Sequence, residues 1–535
     1  MWGLMVVILG GCASVQSIGG GAQDTAPPAL VSAFPPDRSI RFNAGAILLE
    51  FDERVQLDLP RERLLVSPPL KALPDVRLAG PRGVEIRLNA PLEPGTTYTF
   101  HLGDRVKDLT EGNTSPDLTY VVSTGDHLDS GRFVGKVVNA FTEKPEKGMM
   151  VGLYAPGDTT AFRQGRPAYM TRTDASGRFT LANLPAGRSS VFALHDKNAD
   201  QRYDLPNEEV AFLDSIITIT PGDTAVRSHV LRAFLPASAR QQVRSYSVNA
   251  DGALELVVAR PMGTIAVRDV ARSGGALRWT PEFNATRDSI LLWPSDTTLL
   301  SQGTYEISEA GVVLDTVRYR PTIKRPFHTG LTATLIDGKD PASILIRSAR
   351  PILQIDSTRI SLLHDSVPVP FTVVREDDRR CSLLFQAASG SSYRLTVLPK
   401  AIRDIHGGTN DTLRTLLGTA EERTFGSLQV GISGLAPNGR YLLQVLDGQQ
   451  RVQHEAVVTA ALPVVRWDRL APGSRTLRLV LDRNGNGHWD TGEWASLTQA
   501  ERTWHHPEPV NIRSGWDVKV DWSLQAPPPA GEPER

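Results

Sequence analysis

The chain has 535 residues, too long for a single hydrophobic core and enough for about three to five domains. Its 58 Lys and Arg nearly balance 59 Asp and Glu, giving a formal net charge of -1; without long like-charge runs it has no field for gathering DNA, RNA or anionic lipid. A hydrophobic content of 40% supports packed domains, and 45 Gly with 38 Pro are turn formers in numbers that suit many short strands.

The first stretch, MWGLMVVILGGCAS, contains an apolar run from Trp2 to Leu9 that is too short to span a bilayer. The residues Leu9-Gly10-Gly11-Cys12 that follow resemble the bacterial lipobox. That resemblance implies a signal peptide over residues 1–11 and a lipidated Cys12 as the first mature residue, held at the membrane by several acyl chains. The rival reading is a generic secretion signal with an incidental cysteine. Residues 12–24 are small, polar and Gly-rich, the composition of a flexible tether.

Beyond the tether, period-two alternation dominates. VEIRLN places Val84, Ile86 and Leu88 on one face, TYTFHL does so with Tyr98, Phe100 and Leu102, and WDVKVDW with Trp516, Val518, Val520 and Trp522. Long capped amphipathic helical windows are not evident, so the expected fold class is all-β, a string of tandem β-sandwich domains.

The chain also repeats itself. ILLEFDERVQLDLPRERLLVS from Ile47 aligns with ILIRSARPILQIDSTRISLLHD from Ile344, and TTYTFHLGDRVKDLTEGNTSPDL with SSYRLTVLPKAIRDIHGGTNDTL, setting Tyr98 opposite Tyr393 and Asp108 opposite Asp404. A second pair follows each of these: LPAGRSSVFALHDKNADQRYD from Leu184 aligns with LAPGSRTLRLVLDRNGNGHWD from Leu470. The expected order is A, B, middle, A, B. The A units run over 25–126 and 326–422, the B units over 131–232 and 424–525, the unassigned β-rich middle over 233–325, and a disordered tail over 526–535. In the middle, LELVVA, SILLW and VVLDTVRY are strand candidates.

In the first A unit, DTAPPALVSAFPPD, ILLEFDERV, LEPGTTYTF and the closing STGD resemble the SbsA-type bacterial Ig-like domain found near the N-terminus of Bacteroidetes-type cell-envelope lipoproteins. Where those proteins carry Gly-Gly-Pro-Lys-Asp-Thr, this chain has Gly20-Gly21-Ala22-Gln23-Asp24-Thr25. In the first B unit, TRTDASGRFTLANLPAGRSSVFAL, with a tight turn at Asp174 to Gly177, is similar to the prealbumin-like, carboxypeptidase-regulatory-like sandwich. The resemblances imply an outer-membrane lipoprotein of a bacterial cell envelope, leaflet undetermined, whose domains serve adhesion, spacing or display.

No catalytic motif is present. The histidines lack His-Glu-x-x-His spacing, no Gly-x-Ser-x-Gly elbow occurs, and the neighbouring carboxylates Asp52/Glu53 and Asp377/Asp378 are expected to face apart as solvated groups. His505 and His506 are likewise expected on opposite sides of a solvated segment. Cys381, with no partner for an intrachain disulfide, is expected as a buried thiol in an apolar strand.

One chemical motif remains. LDRNGNGHWDTGEW sets Asp482, Asn484, Asn486, the His488 carbonyl, Asp490 and Glu493 at the oxygen-ligand positions of a twelve-residue calcium loop, with Gly487 at its sharp turn. The first B unit keeps Asp196, Asn198, Asp200 and Asp204, with Arg202 at the carbonyl position, but has Gln201 opposite Gly487 and Asn207 opposite Glu493, so weaker binding is expected there. The competing reading is a tight turn between strands, held by side-chain to backbone hydrogen bonds over Tyr203 and Trp489. Calcium is the single cofactor the sequence offers.

Two functional readings follow. One is a lipid-anchored structural, adhesion or ligand-binding module, with an envelope protein or glycan as partner and without catalysis. The other is an envelope enzyme or glycan-binding protein with its site in the middle segment or between domains.

Overall fold

The computed structural model describes residues 24–524 apart from 59–63, 104, 116–117, 223–227, 239, 272–278, 285, 296–301, 323–327 and 337–340. Cys12, the signal peptide and most of the tether lie outside the described residues. The chain is nearly all β, and the strands assemble into successive small sandwiches.

In the first A unit one sheet has the order Leu30–Phe34, Ala46–Phe51, Gly83–Arg87, Asp75–Leu78, and the second has Leu65–Ser67, Thr97–Gly103, Leu118–Ser123. A ribbon of Val55–Leu57 with Val106–Asp108 flanks them. Alternation fills the space between the sheets with Ile47, Leu49, Val84, Ile86, Tyr98, Phe100 and Leu102. Thr97 and Thr99, on the opposite face of their strand, are buried as well. The first B unit and the link before it cover that face: Asp129 N–H donates to Thr97 Oγ1 (3.0 Å), Met170 N–H to Ser67 Oγ (3.0 Å), and Asn183 Nδ2 to Thr99 Oγ1 (3.1 Å).

The second A unit has the same plan. Leu331–Ile336, Ala342–Ser348, Arg380–Phe385 and Thr372–Arg375 form one sheet in that order, Ile360–His364, Ser392–Val397 and Leu413–Gly418 the body of the other, and Ile352–Ile355 with Ile402–Asp404 the ribbon. Tyr98 and Tyr393 also act alike, each hydroxyl accepting the backbone N–H five residues upstream, from Glu93 and Ala388.

The middle segment adds a relationship that the sequence comparison left open. Its sheets, Val243–Val248, Leu254–Val258, Ser289–Pro294, Trp279–Phe283 and Ala266–Asp269, Gly303–Glu309, Val312–Tyr319, repeat the A strand order without a ribbon among the described residues. Tyr305 begins its buried face as Tyr98 does, and GTYEI is the trace in the sequence that matches TTYTF and SSYRL. With only the tyrosine identical in all three, the match is too slight to stand out without the strand order.

The B units share a second plan. Gly131–Asn139 is flanked by Arg178–Leu184 and, in parallel, by the closing strand Ser228–Ala233; Gly426–Ser433 is flanked by Val464–Leu470 and, in parallel, by Asp517–Ser523. The facing sheets run Tyr169–Arg172, Met150–Tyr154, Gly187–Leu194, Val210–Phe212 and Val452–Val458, Tyr441–Leu446, Gly473–Leu481, Thr503–His505. The turn at Asp174 forms because its Oδ1 accepts the N–H groups of Ser176 and Arg178 (both 2.8 Å) while Gly177 takes φ +73°.

Two expected alternations change in this context. Trp516 is 61% exposed, because it sits in the turn before the strand, while Val518 and Val520 are half-buried and Trp522 is buried. In TLRLVL, Leu477 and Leu479 are buried as expected, but Leu481 is only partly so, and Arg478 and Val480 are buried on the opposite face. A strand covered on both sides loses its polar face, and the cover here is the first B unit: Arg478 stacks 4.2 Å over the Phe141 ring.

The middle and second A units are joined by partly buried polar contacts, one of them an ion pair. Nε and Nη2 of Arg379 both donate to the Glu282 carboxylate (2.7 Å each), which also accepts from Trp293 Nε1. Arg350, only 2% exposed, pairs with Asp404 (3.3 Å) and donates to the Asp251 carbonyl. His406 Nε2 lies 2.6 Å from the Pro294 carbonyl, which can only accept, so that nitrogen carries the proton.

Candidate functional site

The two Asp/Asn loops both lie where the B units meet. Each leaves the end of an apolar strand, Gly187–Leu194 or Gly473–Leu481, and turns through paired left-handed residues, Ala199 and Gln201 in the first and Gly485 and Gly487 in the second. Glycine takes that conformation without the steric cost borne by Ala199 and Gln201, so the second loop is the less strained.

In the second loop Asp482 is buried, and its Oδ2 accepts from Gly487 N–H (3.1 Å) and from Arg440 Nε (2.9 Å). Asn484 and Asn486 both direct their Nδ2 to Asp490 Oδ2 (2.7 Å each), and the Asn486 oxygen accepts from His488 N–H. Thus Asp482, Asn484, Asn486, His488 and Asp490 are brought together.

Glu493 is not part of that group. Its carboxylate accepts from Ser496 Oγ (2.7 Å), and its backbone is bridged to Thr498. The carboxylate that closes the loop is Glu501, which accepts Arg483 N–H (2.7 Å) and Asp490 N–H (3.0 Å). Burial pushes the Glu501 carboxyl above its ordinary pKa and the charges of Asp490 and Asp482 add to that, opposed by its two backbone donors.

Glu208 does the same in the first loop, accepting from Lys197 (3.1 Å), Asp204 (3.2 Å) and Leu205 (3.1 Å) N–H groups. Asp196 there accepts from Asp200 and Gln201 N–H, Asn198 Nδ2 donates to Asp204 (3.2 Å), and Arg202 N–H donates to Asp200 (2.8 Å). Glu208 follows Asp204 by 4 residues and Glu501 follows Asp490 by 11. The ungapped alignment that set Asn207 opposite Glu493 missed this insertion.

The insertion docks the second B unit onto the first. Trp494, 7% exposed, enters an aromatic box with ring centroids 4.6 Å from Phe162, 5.2 Å from Phe192 and 5.8 Å from both Tyr203 and Phe212. Thr491 Oγ1 donates to the Leu235 carbonyl (2.6 Å), and Gln499 Nε2 to the Phe212 carbonyl (2.9 Å) and Asp214 (2.8 Å). Gly492 lies so close to Phe234 that a Cβ there would meet its ring at 2.3 Å. His505, expected in a solvated segment, is half-buried with Nε2 2.9 Å from the Phe141 carbonyl, and His506 packs edge-on to Trp522. Trp489 packs at a tilt against Phe141 (4.8 Å between centroids) and donates to the Glu501 carbonyl (2.7 Å).

A cleft of about 580 Å³ lies between the middle and second A units, lined by Glu282, Asp377, Asp378, Arg379 and Arg380 among others. Its carboxylates are held by guanidinium groups: Glu282 by Arg379, Asp377 by Arg380 and Asp378 by Arg375. The neighbours Asp377 and Asp378 are therefore ion-paired at the surface, with side chains 37% and 48% exposed, so they remain solvated as the sequence suggested. Among the described residues no three or more His, Cys, Asp or Glu side chains are gathered as for a metal ion.

Residues 24–124 match the family model of the bacterial Ig-like domain, so the chain is an array of β-sandwiches that begins with that domain. A search among curated proteins finds no match. Solved structures that resemble the chain include the S-layer protein SbsC, at 12% identity over 90% of this chain and 67% of that one with a TM-score of 0.14. Another is SGBP-B of the Bacteroides ovatus mixed-linkage glucan utilization locus, at 12% identity over 71% and 93% with a TM-score of 0.20. A third is the gamma-CGTase of alkalophilic Bacillus clarkii, at 12% identity over 53% and 41% with a TM-score of 0.14. TM-scores this low describe no shared overall arrangement.

Proposed function

We propose that the protein is a lipoprotein of a bacterial cell envelope, anchored through Cys12 and presenting its tandem sandwiches as a structural, adhesion or ligand-binding module without catalysis. The observation that carries this reading is the run Leu9-Gly10-Gly11-Cys12 after an apolar segment, followed by a Gly-rich stretch and a bacterial Ig-like domain. An acylated cysteine supplies membrane affinity, the tether supplies reach, and the sandwiches supply a stiff body with mutually docked units. Its place as an outer-membrane lipoprotein of the Bacteroidetes type rests on the motifs that resemble that family, and its partner is an envelope protein or glycan. The test is Cys12→Ala in the full chain. The expected result is release from the membrane fraction into the soluble one; a variant that still pellets with membranes after a salt wash overturns the anchor.

The rival reading, an envelope enzyme or glycan-binding protein, finds its place in the cleft beside Glu282, Asp377 and Asp378. Carboxylates committed to guanidinium partners are poorly disposed to exchange protons with a substrate, which favours the first reading. Incubation with envelope glycans distinguishes the two: bond cleavage that is lost in Asp377→Asn would establish the enzyme.

A further inference from the structure

We propose that the loop Asp482–Asp490 is a calcium site, and that its cation stiffens the insertion through which the second B unit grips the first. The leading observation is Asp482. Its side chain is fully buried, Oδ2 is engaged within the loop and by Arg440, and Oδ1 has no hydrogen-bond partner among the described residues. A buried, charged oxygen without a donor is strongly disfavoured unless a cation takes the open position.

The surrounding groups are suited to that cation. The Nδ2 atoms of Asn484 and Asn486 crowd one oxygen of Asp490 at 2.7 Å each. Their own Oδ1 atoms accept backbone N–H groups, Asn484 from Asn486 (3.1 Å) and Asn486 from His488 (2.9 Å), and each keeps a second lone pair that a cation beside the Asp490 carboxylate can take. With the Asp482 carboxylate and the His488 carbonyl, the donor set is oxygen throughout and only two carboxylates strong. An irregular, all-protein oxygen set on a flexible loop suits calcium, whereas magnesium demands a near-ideal octahedron and retains water.

The first loop lacks the decisive feature. Both oxygens of Asp196 are taken by backbone N–H groups, and Gln201 stands where Gly487 opens the second loop. One strong site per chain is therefore expected. Thr491, Gly492 and Trp494 follow Asp490 directly, so a cation that fixes Asp490 also fixes the start of the docking segment.

The full chain, stripped with chelator, is dialysed against radioactive calcium and melted with and without the ion. The expected result is one bound equivalent with a dissociation constant of about 0.1 to 1 mM, the range of extracellular modules, together with a raised melting temperature. Asn486→Ala, an exposed change that leaves the core intact, should weaken binding at least tenfold, and Glu493→Gln should leave it unchanged. No calcium bound by the wild-type chain up to ~10 mM, well above that range, overturns the proposal. So does wild-type affinity in Asn486→Ala, or its loss in Glu493→Gln with Asn486→Ala unaffected.

Discussion

The indole of Trp494 and the phenyl ring of Phe162 lie 4.6 Å apart between centroids, one from the second B unit and the other from the first. The contact closes the array on itself and makes the B units a docked pair. Trp494→Ala empties the box that Phe162, Phe192, Tyr203 and Phe212 form, and truncation of a buried tryptophan costs about 3 to 5 kcal/mol. The expected outcome is separation of the B units with both sandwiches still folded, read as a larger radius in small-angle scattering at unchanged far-ultraviolet circular dichroism. An unchanged radius would show that the remaining contacts suffice.

Gly492→Ala tests the same interface by overfilling it. The new methyl would collide with Phe234, and the Thr498 carbonyl stands 2.6 Å from the same point. Overpacking of this kind costs about 1 to 3 kcal/mol. Hydrogen exchange should quicken in 491–501 and around Phe234, leaving the A units unaffected. Uniform exchange across the chain would mean that the glycine is not needed for docking.

Glu501→Gln and Glu208→Gln replace a carboxylate that accepts two or more backbone N–H groups by an amide whose nitrogen faces one of them. An unsatisfied buried donor costs about 1 to 3 kcal/mol. Both changes should raise amide exchange within their own loops. Only Glu501→Gln should also loosen the docking segment, because the longer insertion lies between Asp490 and Glu501.

The contact between the middle and second A units should weaken in acid. Burial holds the His406 imidazole below its ordinary pKa, and Arg350 adds to that effect, against the Pro294 carbonyl and the Asp404 charge. The unfolded chain therefore binds the proton more readily. Stability from this group is complete above the unfolded value of about 6.5 and is lost as pH falls through the lower folded value. The melting temperature of the wild-type chain should drop more steeply from neutral pH to pH ~5, below that unfolded value, than that of His406→Gln; parallel curves would remove His406 from the account.

Cys381 should be inert. It is fully buried, and burial pushes its thiol up to about 11. In a Cys12→Ala chain, where Cys381 is the remaining thiol, a thiol reagent near neutral pH should modify the protein only after denaturant is added.

The fold class was legible in the sequence because a strand with one solvated face writes itself as alternation. Ile47, Leu49, Val84 and Ile86 in the first A unit, and Ile344, Ile346, Cys381 and Leu383 in the second, are apolar at every second position, and all are buried. The pairings of Tyr98 with Tyr393 and Asp108 with Asp404 were equally visible, since the backbone demands the same side chain at each copy of a turn. Both aspartates cap the loop after their ribbon strand through backbone N–H groups; burial raises the Asp108 pKa, but its four donors outweigh that and hold it low.

What the tertiary structure alone decided lies where units touch. Arg478, Thr97 and His505 are polar side chains in strands, which alternation assigns to water, yet each is covered by another unit. Nothing in local sequence encodes a neighbour that arrives from tens to hundreds of residues away. The spacing from Asp490 led to Glu493 as the closing carboxylate, while the fold supplies Glu501, because a hydrogen bond depends on distance in space and an insertion changes only distance along the chain. The oxygen-rich loop was set by its residues, and its position beside Trp494 and the aromatic box was set by packing, since an apolar surface that two units can exclude from water together is recognisable only when both are in place.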